Sequence, residues 1–272
     1  MGKTIAQDEQ RTLEVGSVSY KVDSPSTAGF AKVSTRLGEH YAEGIVDGTG
    51  KEVIPPRTDI LVKDITGARA LVQRERDFLF IDLDQPGLDP SLLNTEKGYQ
   101  YAEPFSCGRA MVRMNDTYYF IDTLGNLLFD ESYDHAESFH HDRALVFNGE
   151  RKRIIDTEGR VVKDLPYDQV NPYSPWCWQV TRIKGDVYLS GFVDPDGKET
   201  VPLIYDDMLY YDPEENRTRA GIGGKYGYLD AYGQVAIPVQ FEYAEIFNKG
   251  KARVALNGRQ YFIDHEGKEV EE

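Results

Sequence analysis

Short apolar runs alternate with turn-forming residues along almost the whole chain. Seven of these runs end in Asp and enter a turn with Gly. The seven are Asp47, Asp82, Asp122, Asp156, Asp194, Asp230 and Asp264. Six turns read Asp-x-x-Gly and close at Gly50, Gly125, Gly159, Gly197, Gly233 and Gly267, while Asp82 reaches its glycine only at Gly87. Successive Asp positions differ by 35, 40, 34, 38, 36 and 34. A period that persistent predicts a repeat architecture. A carboxylate at the start of a turn accepts backbone N–H groups from the residues ahead, so the recurring Asp is read as scaffold, not as a ring of catalytic carboxylates.

The stretch from Tyr133 to Pro166 shows one unit most clearly. Tyr133 to Phe139 roughly alternates with period two, Arg143 to Phe147 is a short apolar strand, and Arg153 to Asp156 returns. Arg160 to Lys163 is a fourth strand. Asn148-Gly149 is a strong two-residue hairpin signal, because both central residues of a type I′ turn need positive φ. The second strand recurs as Arg/Lys-Ala-x-Val at Arg69, Arg109, Arg143 and Lys251, with an early copy at Phe30-Ala31-Lys32-Val33 and a degenerate one at Arg219-Ala220-Gly221-Ile222. In the remaining copy Trp178 takes the Ala place. An aromatic-acid step precedes these segments at Tyr133-Asp134, Tyr167-Asp168, Tyr205-Asp206 and Phe241-Glu242. Pro55, Pro56, Pro202 and Pro238 fall in or just after the fourth strand, which suits an edge. Helix signals are nearly confined to Asp89 to Asn94, one turn at most.

This pattern resembles the WG-repeat family, also called KWG repeats. The best copy runs from Tyr226-Gly227-Tyr228-Leu229-Asp230 through Ile237-Pro238 and on to Gly250-Lys251-Ala252-Arg253-Val254. Glu43-Gly44 through Ile54-Pro55 is nearly as good. The Trp-Gly pair of the family name never occurs. Glu43-Gly44, Ser190-Gly191 and Tyr226-Gly227 stand in its place, and the glycine itself is lost at Leu79, Tyr119, Arg153 and Tyr261. The resemblance spans about residues 28 to 270. It implies a binding or scaffolding module, found mostly in bacteria, with no shared catalytic residues to carry over.

The expected fold is therefore an all-β repeat protein, one domain over residues 1–272, with 1–17 a flexible N-terminal segment. The chain starts in the second half of a unit and ends in the first half of one. The two half-units are expected to complete a seventh blade and close a propeller-like ring. An open β-array with half-units capping each end is the alternative, since solenoids need capped ends.

Composition narrows the function. With 46 acidic against 31 basic residues the net charge is -15, which argues against nucleic acid, because phosphate neutralisation needs clustered Lys and Arg. It favours solubility and permits a basic partner. No apolar run approaches the length that a membrane helix needs, and the N-terminus has no signal-peptide core, so the expected compartment is the cytoplasm. Cys107 and Cys177 are too few for a disulfide scaffold or a zinc site and are expected as reduced, part-buried thiols. His135, His140 and His141 match no metal-ligand spacing, and no metal or cofactor is expected. Gly221 to Tyr226 imitates a phosphate loop but precedes a strand, where a helix N-terminus is required.

Places where the rhythm breaks are the better candidates for function. Both tryptophans, Trp176 and Trp178, lie in one unit. The next carries Tyr210 and Tyr211, with Asp206 before them and Asp212, Glu214 and Glu215 after. Tyr and Trp serve as interface anchors, although Trp178 equally suits a widened core layer. The insertion from Asp84 to Gly98 is a second departure, of the kind that carries binding function in repeat proteins. These features predict a non-catalytic protein-binding module, in concrete form an immunity- or antitoxin-like protein that masks a basic partner. A glycan-binding or glycosidase-like propeller is the second reading, because aromatic platforms with carboxylates suit sugars. Oligomeric state stays open.

Overall fold

A computed structural model of the 272-residue chain describes residues 11–15, 18–23, 26–85, 98–208 and 211–271. Every regular element among them is a β-strand, and the strands form seven antiparallel sheets. The chain divides into two compact units, 1–138 and 139–272.

The first unit holds three sheets. Arg11–Val15, Val18–Val22, Ala31–Leu37, His40–Val46 and Glu52–Arg57 form the first, in chain order. Leu61–Thr66, Arg69–Arg74 and Asp77–Asp82 form the second. Tyr101–Ala102, Arg109–Met114 and Thr117–Asp122 form the third. In the second unit Arg143–Asn148, Arg151–Asp156 and Val161–Asp164 lie side by side in the fourth sheet. Gln169–Ser174, Cys177–Lys184, Val187–Val193 and Glu199–Tyr205 make the fifth. Asp207–Met208, Thr218–Ile222, Lys225–Leu229 and Val235–Phe241 make the sixth. Tyr243–Ala244, Ala252–Leu256, Arg259–Ile263 and Glu269–Val270 make the seventh.

The phase of the repeat is as expected, but the end half-units do not share a sheet. The first sheet draws its outer strands from Arg11–Val22, and the seventh is complete within residues 243–270. Apolar pairs at the start of the chain, such as Tyr20 and Val22 packing with Ala31, Val33 and Val46, supply what the first half-unit lacked. Arg11–Val15 is thus a strand inside the stretch expected to be flexible. The insertion from Asp84 to Gly98 falls mostly outside the described residues.

Within each unit a sheet packs face to face on the next in sequence, so consecutive residues in the middle of a strand are buried, as Ala70, Leu71 and Val72 are in the second sheet and Ala144, Leu145 and Val146 in the fourth. Leu145 and Ile154 of the fourth sheet meet Val170, Trp178, Val180 and Val193 of the fifth. Tyr173, Cys177, Phe192 and Val201 of the fifth meet Ala220 and Leu229 of the sixth. Ile45 and Ile54 pack on Val62, Val72, Leu79 and Ile81 in the same manner within the first unit.

The Asp-x-x-Gly turns are built as their chemistry dictates. In each of the six, one Asp oxygen accepts the backbone N–H of the residues two and four places on, as Asp230 Oδ1 does from Tyr232 and Gln234 at 2.9 Å. The carboxyls of Asp47 and Asp122 are held below their ordinary range, chiefly by the Thr49 hydroxyl and the Asn126 amide. The aromatic-acid step caps the opposite end of the sheet. Asp168, Asp206 and Glu242 accept the N–H of Ile183, Gly223 and Gly258 in the hairpin between second and third strands. Asn257-Gly258 has the positive φ pair of a type I′ turn, 53° and 74°. The Asn148-Gly149 hairpin is set one residue later, with Asn148 paired to Arg151 and Gly149 opening the turn at φ 58°.

Candidate functional site

Strand register shows what the recurring Arg does. The residue that pairs with the one before each turn Asp occupies the Ala place: Ala31, Ala70, Ala110, Ala144, Trp178, Thr218 and Ala252. The sixth copy is therefore Arg217-Thr218-Arg219-Ala220, two residues earlier than the sequence match at Arg219. Two arginines at the same strand parity make the pattern ambiguous until the pairing is known. The preceding residue then reads Arg69, Arg109, Arg143, Cys177, Arg217 and Lys251 in the second to seventh sheets.

In the second, fourth and sixth sheets this residue fastens one sheet to the Asp-x-x-Gly turn of the next. Arg69 Nε donates to the Thr123 carbonyl at 2.9 Å. Arg143 donates to the Asp196 carboxylate at 3.0 and 2.7 Å, and Arg217 to the His265 carbonyl at 3.2 and 2.8 Å. Between the fifth and sixth sheets no arginine is present at this place. Ser174 Oγ donates to the Ala231 carbonyl at 2.5 Å, Cys177 Sγ to the same oxygen at 3.5 Å, and Tyr173 OH to the Asp230 carbonyl at 3.0 Å. Cys177 is buried, and burial pushes its thiol up to about 11. Cys107, by contrast, lies in an exposed turn.

The substituted latch shapes the turn that carries Trp176. Its backbone N–H donates to Ser174 Oγ at 3.1 Å. The carbonyl of Pro175 accepts from His141 Nδ1 at 2.9 Å, which places the ring proton on Nδ1. The indole lies 4.1 Å from the His141 ring and 5.6 Å from the Tyr232 ring, centroid to centroid. His141 comes from the first turn of the fourth sheet and Tyr232 from the Asp-x-x-Gly turn of the sixth. Three neighbouring sheets thus contribute one aromatic row, and it is exposed: Trp176 at 43% and Tyr232 at 54%.

Of the residues singled out from the sequence, only part gathers here. Trp178 is buried at 9% in the core between the fourth and fifth sheets, so it fills a widened layer and is closed to a partner. Tyr210 lies outside the described residues. Tyr211 is half-buried, packs 5.3 Å from Tyr173 and donates its OH to Asn216. Asp206 caps the Gly223 hairpin at 2.8 Å and so belongs to the other end of its sheet. Asp212 accepts the N–H of Glu214 at 2.9 Å in an exposed turn, and Glu214 is exposed. Glu215 clamps the sixth sheet to the seventh, accepting from Gly250 N at 3.0 Å and from His265 Nε2 at 2.9 Å. His141 and Tyr232 were missed. The available signal for Tyr232 is its place: the second residue after the turn Asp is Thr49, Leu124, Glu158, Asp196 or Glu266 in the other five Asp-x-x-Gly turns. No cluster of His, Cys, Asp and Glu among the described residues could hold a metal ion.

Three stretches of the sequence, 95–118, 191–226 and 226–259, match the model of the WG containing repeat. The chain carries WG repeats. The structure accounts for the glycine of the WG repeat. At Gly44, Gly191 and Gly227 an added Cβ would lie 2.5 Å from the carbonyl oxygen of Ile54, Val201 or Ile237. Each of those residues precedes a proline of the fourth strand, and the register shifts at each glycine. The glycine lets the fourth strand cross at contact distance, and these three strands are long: Glu52–Arg57, Glu199–Tyr205 and Val235–Phe241. Where Arg153 and Tyr261 replace it, the fourth strand shrinks to Val161–Asp164 and Glu269–Val270. Where Tyr119 replaces it, isolated bridges take the place of the fourth strand, Ile121 with Leu127 and Tyr118 with Tyr133.

Among solved structures, a eukaryotic initiation factor is similar at 12% identity over 97% of this chain and 78% of that one, with a TM-score of 0.48. Hsv2p of Kluyveromyces lactis is similar at 11% identity over 87% of this chain and 89% of that one, with a TM-score of 0.40. The Pan2 WD40 domain of Neurospora crassa follows at 10% identity over 89% and 86%, with a TM-score of 0.33. None of these likenesses bears on what the WG-repeat chain binds. A search of the curated proteins finds no match.

Proposed function

We propose that this protein is a non-catalytic protein-interaction module whose binding face is the turn end of the fourth, fifth and sixth sheets. The observation that carries the proposal is the exposed Trp176, braced by His141 on one side and by the Tyr232 turn on the other. An aromatic side chain held in place before binding loses little conformational freedom when it is covered, which is the property of an interface hot spot. The carboxylates singled out from the sequence support a scaffolding role over acid–base work: Asp206, Asp212 and Glu215 each hold backbone N–H groups of their own chain.

The finer form of the proposal is immunity- or antitoxin-like masking of a basic protein, supported by the net charge of -15 and its long-range pull on cations. Affinity purification of the tagged chain from its native cell tests the module. The expected result is a protein partner retained by the wild type and released by Trp176→Ala. Elution without a partner at low and moderate salt, together with Trp176-dependent retention on a glycan array, would replace this proposal with a sugar-binding one.

A further inference from the structure

The molecule repeatedly lays guanidinium groups on tyrosine rings. Arg113 lies 5.6 Å from the Tyr118 centroid, Arg182 5.6 Å from Tyr167, Arg219 5.0 Å from Tyr226, Arg253 6.0 Å from Tyr243 and Arg259 5.1 Å from Tyr261. All of these distances fall within the range of favourable cation–π attraction. Trp176 offers the strongest acceptor of the aromatic residues. Yet among the described residues no Lys or Arg lies over the Trp176 or Tyr232 ring, and the aromatic contacts of Trp176 are with Tyr232 and His141. The arginine that would stand nearest by the repeat, at the place of Cys177, has been replaced.

The surroundings favour a cation as the missing neighbour. Asp142 follows His141 and is exposed. Asp196 is exposed at the adjoining turn, held by Arg143 two residues after His141. The turn with exposed Asp212 and Glu214 adjoins Tyr173, against which Tyr211 packs at 5.3 Å. We infer that the row of His141, Trp176 and Tyr232 accepts an arginine side chain from a basic segment of the partner, its guanidinium over the indole and its neighbours in sequence facing Asp142, Asp196, Asp212 and Glu214. The inference rests on the proposed interaction module and names the chemistry that it recognises. His141 contributes its ring face, its Nδ1 being held by the Pro175 carbonyl.

The test uses the full chain and two synthetic probes, an eight-residue peptide rich in arginine and its counterpart with citrulline, which keeps the shape and removes the charge. Titration at physiological salt, read by Trp fluorescence and calorimetry, is expected to show the arginine peptide binding at least about tenfold more tightly than the citrulline peptide. Trp176→Leu and Tyr232→Leu, each retaining the wild-type melting temperature and net charge, are expected to remove most of that preference. Equal affinity of the two peptides for the wild type overturns the inference, as does an unchanged preference in Trp176→Leu. If the native partner still depends on Trp176 while the peptides do not discriminate, the interaction module stands and the guanidinium assignment falls. If the partner is retained without Trp176, the proposed face falls as well.

Discussion

Two junctions in the second unit do the same mechanical task with different residues. Between the sixth and seventh sheets, Arg217 reaches the His265 carbonyl with two nitrogens. Between the fifth and sixth, Ser174, Cys177 and Tyr173 reach the Ala231 and Asp230 carbonyls. The arginine latch is long and brings a charge to the turn end. The short latch draws the two turns together without charge, and Trp176 and Tyr232 come to lie side by side above it. The comparison teaches that one copy departs from the others at a scaffold position, and that the exposed row of His141, Trp176 and Tyr232 stands at that copy.

The largest expected effect concerns the glycine that ends the short-latch turn. Gly233 has φ 76°, and a Cβ there would sit 2.6 Å from the Phe192 ring. Gly233→Ala is expected to lower stability by about 3 kcal/mol, from backbone strain and core displacement together. Gly125→Ala in the third sheet meets the same φ strain, at 84°, with nothing within 4 Å, and is expected to cost about 1 kcal/mol. Urea unfolding of the two variants checks the ratio. Equal losses would show that the turn does not press on the preceding sheet.

Next come the latches. Arg217→Ala removes two charge-assisted hydrogen bonds and is expected to cost about 1–2 kcal/mol, against about 1 kcal/mol for Ser174→Ala. Differential scanning of both variants reads the difference. Ser174→Ala is further expected to loosen the Trp176 turn, which a drop in Trp fluorescence anisotropy would report.

A smaller effect is spread over the repeat. The carboxyls of Asp47, Asp122 and Asp156 have pKa values lowered from the ordinary 3.8. For Asp156 burial works against the shift, and the Arg160 side chain is the leading cause of the lowering. A carboxyl lowered on folding stabilises the protein above the unfolded value, and that stability is lost as pH falls through the folded value. The urea midpoint is therefore expected to be flat near neutrality and to fall as the pH drops below about 4. Replacing Asp122 with Asn should flatten the acid limb slightly. The smallest effect on stability is expected for Trp176→Ala, within about 0.5 kcal/mol because the side chain is exposed.

Much of the scaffold was legible in the sequence because its signals are local. Asp230, Gly233 and the residues between them make a turn through their own backbone, whatever surrounds them. The Tyr-Asp steps and the Asn257-Gly258 hairpin are local in the same sense. The Ala place of the sixth sheet was not legible, since Thr218 and Ala220 share strand parity and only pairing with Leu229 decides between them. The outer strands of the first sheet carry no repeat motif. At the candidate site Trp176 was legible as a departure from the pattern. His141 and Tyr232 were not, because they are 35 and 56 residues away in sequence, by subtraction from 176, and meet it through the packing of three sheets.

The central claim is that the aromatic row, and not exposed apolar surface in general, is the binding face. Leu124 supplies the control. It is 77% exposed and occupies in the third sheet the turn position that Tyr232 occupies in the sixth. The deciding measurement is the dissociation constant of the co-purified partner for the wild type, Trp176→Ala and Leu124→Ala by calorimetry. A loss of about 2 kcal/mol or more for Trp176→Ala, with Leu124→Ala unchanged, is the predicted result. Equal affinities across the three proteins, or a loss confined to Leu124→Ala, would contradict it.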